Sequence, residues 1–217
     1  MGSRAHNIVI LLVFAGLICF TRALIDAPPK EDSNHFLQNV YKQRVSWKKT
    51  PVVLHADASL TEQQVEALKQ AIKIWNKAAK EKLNRSELFA FGDHLSNHQG
   101  LKEDGLNVVS LAKTWPLQNG IHSQNNHEQA ITSRHWIAAT DVMTEADIIL
   151  NGSQPLSHLP DIRQDEIDMV SLLVHELGHV LGLEHIDSKG YSVTSFFAIM
   201  SAKSSFPKSC SEFKTFS

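Results

Sequence analysis

The chain has 217 residues, ordinary apolar content and a formal net charge of -2, so nothing in its charge balance points to nucleic acid or an anionic membrane as partner. Once a leader is set aside, its length suits one domain large enough to bury a core. Its two cysteines are Cys19 and Cys210; the first falls inside the leader, which excludes a disulfide framework and leaves stability to packing.

Residues 1–23 carry Arg4 and His6, an unbroken apolar run over 8–20, and then Thr21, Arg22 and Ala23. The run is too short to span a bilayer comfortably and has the layout of a cleaved secretory signal, with an uncleaved membrane anchor as the rival. A secreted, extracellular protein is expected, in the periplasm or at the cell surface if the host is bacterial. Residues 24–45 are polar, with Pro28 and Pro29 followed by a charged stretch. They are expected to be a linker or short pro-segment ahead of a domain over 46–217.

Trp47 leads into a first strand over 51–55. Thr61 and Gln64 form a capping-box pattern, and Val65, Leu68, Ile72, Trp75 and Ala79 follow at helical spacing. This predicts a long amphipathic helix to about Lys82, with Trp75 in the core. Further strands are expected over 88–91, 107–112, 135–140 and 146–150. Five histidines, His94, His98, His122, His127 and His135, fall between 93 and 135 without a regular ligand spacing. A solvated loop is the expected reading, and a second zinc or a calcium ion is not supported there. Asn84 and Asn151 each open an N-glycosylation acceptor triplet, which matters only in a eukaryotic host.

Asp168 is the expected N-cap of the next helix, which Met169, Leu172, Leu173, Val180 and Leu181 pack into the core. That helix carries the most informative stretch of the chain. His175 and His179 are four apart, so they share one helical face and can offer two imidazole nitrogens to one small cation, with zinc the best suited. Glu176 points elsewhere and is placed to act as general base on a water at the metal's open position. Gly182 tolerates positive φ, so the helix can end and the chain can turn to bring His185 in as third ligand. The five residues at these offsets arise by chance in about one chain in 10⁵ of this length.

The motif His175, Glu176, His179, Gly182, His185 resembles that of the metzincin zinc peptidases. The start at Trp47 and the overall size resemble the matrixin, or matrix metalloproteinase-like, catalytic domain. The resemblance implies an α+β fold with a twisted, mostly parallel sheet and an antiparallel edge strand. It also implies a long helix, a zinc-binding helix, and a small C-terminal subdomain with a methionine turn, for which Met200 is the candidate. Three features depart from the family pattern: Ile186 follows the third histidine where matrixins have Ser, the 186–199 stretch is long, and few residues follow Met200. No cysteine lies between Leu24 and the zinc helix, so the thiolate latch of animal matrix metalloproteinases is not expected. Cys210 is expected to be exposed or packed.

The function expected is zinc-dependent endopeptidase action on protein or peptide substrates by a monomer holding one catalytic Zn2+, with the substrate extended along an edge strand over 135–140. The alternatives are a catalytically inactive zinc-binding or adhesion protein of the same fold, and a zinc amidase acting on a small substrate.

Overall fold

The computed structural model describes residues 36–185, apart from residues 86, 99, 116, 118–127, 159–162 and 164. The leader, Met200 and Cys210 lie outside the described residues. Six strands form one sheet: β1 (Ser46–Trp47), β2 (Val52–Asp57), β3 (Phe89–Leu95), β4 (Val108–Ala112), β5 (Ala130–Trp136) and β6 (Val142–Asn151). The order is β3, β2, β4, β6, β5, with β1 beside the start of β6. Every pairing is parallel except that of β5 with β6. The mostly parallel sheet with an antiparallel edge strand is therefore observed, together with, among the described residues, two helices, α1 (Glu62–Leu83) and α2 (Met169–Val180). A short parallel pair, β7 (Leu156–Ser157) and β8 (Ile167–Asp168), leads into α2.

Helix α1 starts where the sequence says it should. The Thr61 hydroxyl accepts from the Gln64 N–H at 3.3 Å, and the Gln64 amide oxygen accepts from the Thr61 N–H at 2.9 Å, so two otherwise orphaned donors are satisfied. Asn84 ends it in the left-handed conformation. The stripe Val65, Leu68, Ile72, Trp75 and Ala79 is buried, and the Trp75 indole N–H donates to Val174 O at 2.8 Å. That bond ties the long helix to the helix bearing the histidines. Asn76, next in the chain, accepts from the N–H groups of Leu88 and Phe89 at 2.9 and 3.0 Å and donates to Phe89 O at 2.8 Å. It thereby fixes where β3 begins.

The edge strand differs from the expectation. A strand is expected over residues 135–140, but β5 covers Ala130–Trp136 and residues 137–140 form the turn into β6. The cause is Thr140, whose N–H donates to Ile137 O at 2.8 Å while its hydroxyl donates to the same carbonyl and accepts from Val142 N–H. A threonine reads as a strand former from composition, yet its hydroxyl also closes turns. The strand expected over 146–150 is longer at both ends.

Opposite His135 and Trp136 the register of β6 skips Thr144. Met143, Ala146, Ile148 and Leu150 all join the helix-side core. Glu145 and Asp147, also buried, instead anchor the 102–108 loop: Glu145 accepts from Gly105 N–H, and Asp147 accepts from Lys102 and Val108 N–H at 3.0 and 2.9 Å. Burial raises the Asp147 carboxyl to about 6, against those two N–H groups, which favour the charged form.

Residues 36–45, part of the segment expected to be a linker or short pro-segment, pack on the folded unit. Phe36 forms an antiparallel bridge with Leu183, Leu37 N–H donates to Gly182 O at 2.8 Å, and Val45 N–H donates to Leu37 O at 2.7 Å. The Asn39 side chain closes the intervening turn and reaches Thr140 O at 3.0 Å, and Val45 is fully buried. Backbone pairing holds this strap, and a side-chain pattern does not reveal backbone pairing. Asn151 is another correction: it is fully buried with its amide donating to Glu128 O at 2.7 Å, so no glycan fits on it in the folded protein.

Candidate metal centre

Helix α2 is capped as expected. Asp168 accepts from Val170 N–H at 3.0 Å and from the Ser171 hydroxyl at 2.6 Å, which fixes the first turn and hence the rotation of the helix. Met169, Leu172, Leu173 and Val180 are fully buried, so His175 and His179 are held by a helix that has no freedom to roll. At its end, Leu183 N–H donates to Gly178 O and Gly182 N–H donates to His179 O, at 3.0 and 2.8 Å. Gly182 has φ +83°. This is a Schellman ending, and glycine is required twice over: φ is left-handed, and an added Cβ would lie 2.9 Å from Val45 O.

The turn returns His185 to the helix. Its Nε2 lies 3.0 Å from His175 Nε2 and 3.2 Å from His179 Nε2, and the three potential donor atoms lie within 4.8 Å of one another. Tetrahedral coordination with Zn–N arms of about 2.1 Å separates neighbouring donors by about 3.4 Å, so the set fits zinc. The protonation pattern agrees. His179 Nδ1 is 2.8 Å from Leu183 O; a carbonyl only accepts, so Nδ1 carries the proton and Nε2 presents a lone pair to the common point. Burial, with the neighbouring His175, pulls the His179 pKa down to about 3, which keeps the ring neutral and able to ligate. His175 is buried, whereas His185 is exposed.

Glu176 is buried beside this group. One of its carboxylate oxygens accepts from the Thr132 hydroxyl at 2.5 Å. Burial pushes its pKa up to about 7, opposed by the Thr132 bond and the positive charge of Arg134. Such a carboxyl can exchange a proton near neutral pH. Thr132 and Arg134 carry no signal in the sequence, whose pattern places the start of this strand only at His135. Two apart on a strand, they share a face. Arg134 Nη1 lies 2.8 Å from a carboxylate oxygen of Glu184, the residue before the third histidine.

The scattered histidines do not assemble into a second centre among the described residues, where the three-histidine group alone has metal-holding geometry. His135 pairs with Glu103 at 2.6 Å, His98 lies 3.9 Å from Asp104, and His94 sits against Asp57 O. His122 and His127 lie outside the described residues.

Compared with known families, the chain matches Matrixin over residues 42–209. None of the curated proteins matches it.

Proposed function

The chain belongs to the matrixin family of metallopeptidases, and from that premise we propose that it is a secreted zinc endopeptidase with His175, His179 and His185 as metal ligands and Glu176 as general base. The observation that carries the reading is the convergence of three imidazole nitrogens, two of them from the helix that also bears the buried Glu176 carboxyl. Zinc, when bound, supplies Lewis-acid polarisation of a peptide carbonyl and lowers the pKa of water. Glu176 takes the proton of the attacking water and delivers it to the leaving amine, a double role suited to a carboxyl poised near 7. Thr132 holds one carboxylate oxygen, which aims the other. Substrate lies extended along β5, whose outer edge has no strand partner among the described residues, with backbone hydrogen bonds giving affinity. Met200, which lies outside the described residues, is the candidate for the methionine turn of the family, and the apolar run over 8–20 directs export.

The test is to incubate the zinc-loaded chain and its Glu176→Ala variant with a diverse peptide library and read the cuts by mass spectrometry. Internal cuts made by the parent alone are the expected result. An absence of cuts with zinc bound would overturn the enzymatic reading.

A further inference from the structure

Two of the three imidazoles need no help to converge, because the capped and buried α2 sets both directions. His185 is different. It is exposed and stands beyond the helix, so its position depends on whatever fastens residues 183–185. On one side Leu183 is bridged to Phe36. On the other side Glu184 forms an ion pair with Arg134 at 2.8 Å, a contact of opposite charges without hydrogen-bond alignment at Nη1, and both side chains are partly shielded, at 32% and 18% exposure. A pair so shielded is less screened by salt than a surface pair. Arg134 is itself fixed by the β5–β6 ladder, opposite Ala146 and two residues from Thr132.

We propose that Arg134 is a positioning residue for the third metal ligand: by pairing with Glu184 it clamps the chain beside His185 to the edge strand, so the same strand face that orients Glu176 through Thr132 also sets the third donor. This rests on the reading of the three histidines as zinc ligands. Glu184 immediately precedes His185, so a displacement of its carboxylate is passed on within one peptide unit. Groups that orient a ligand without touching the metal typically change affinity by about 10–100-fold when removed. Activity cannot serve as the readout, because the Arg134 charge also acts on Glu176.

The experiment is chelator competition for zinc on the full chain, with R134Q, E184Q, the R134Q/E184Q double variant, the reversed pair R134E/E184R, and H185A as control. Visible absorption of the cobalt-substituted proteins reports the coordination geometry. The expected result is a loss of zinc affinity of about tenfold in each single variant, no further loss in the double, and partial recovery with weakened cobalt bands restored in the reversed pair. Parent-like affinity and cobalt spectrum in both R134Q and E184Q, while H185A binds weakly, would overturn the positioning role and leave the zinc site standing. Parent-like affinity in H185A would overturn the ligand assignment itself. Should R134Q fail to fold, E184Q and the reversed pair still decide: parent-like affinity in E184Q, or a loss in E184Q that the reversed pair does not recover, also overturns the proposal.

Discussion

Replacing Glu176 by glutamine keeps the shape and burial of the side chain but removes its ability to take a proton. Glu176→Gln is expected to lower peptide cleavage by at least about 10²-fold while leaving about one zinc per chain, because the ligands are untouched. Peptide assay and metal analysis of the same preparation check both halves. Asp147 tests a different residue-scale claim. Its folded pKa of about 6 lies above the ordinary 3.8, so its contribution to stability is fully present below about pH 3.8 and is lost as pH rises through about 6, by up to about 3 kcal/mol. Asp147→Asn cannot ionise. Its stability relative to the parent should therefore rise between pH 4 and 7 in urea melts, and a flat difference would show that burial does not raise this carboxyl. At this scale the sequence was most legible where function is local: His175, Glu176, His179, Gly182 and His185 sit within one helix and its turn, so their spacing encodes their geometry. Thr132, Arg134 and Glu184 are not legible there, because the contacts of Thr132 with Glu176 and of Arg134 with Glu184 depend on how β5 lies beside α2 and the turn that follows it.

The elements repeat that contrast. Helix α1 was readable from its capping box and its stripe, and α2 from Asp168 and Gly182, since each signal lies within a few residues of the structure it specifies. The bounds of β5 are not legible in the same way, because its register is set by pairing with β6 and by the Thr140 turn. Asn76 was likewise invisible: it looks like a solvent-side polar residue, yet its amide satisfies three backbone groups where β3 begins. Asn76→Ala should cost about 2 kcal/mol or more by stranding them, measurable as a lower denaturation midpoint. A change below about 0.5 kcal/mol would mean that water replaces the amide at this partly buried position.

Across the whole molecule, the strap over 36–45 matters most. A chain beginning at Ser46 retains every expected ligand but loses the bridge to Leu183, the bond to Gly182 O and the buried Val45. It is expected to bind zinc at least about tenfold more weakly than the chain beginning at Leu24, as chelator competition would reveal. Equal affinity would return residues 36–45 to the status of a linker. The strap also has a reciprocal consequence. If its docking favours a filled metal centre, then by linkage a filled centre favours its docking, and by the same factor. The N-terminal border of the domain should then report on the metal: zinc would shield residues 36–45 from a foreign protease, and chelation would make them the first place cut. Timed digestion with and without chelator reads this directly, and identical cutting in both would separate strap from metal. Maturation would then have a built-in order, with metal loading before N-terminal trimming, because trimming an empty centre would remove the segment that helps it to fill.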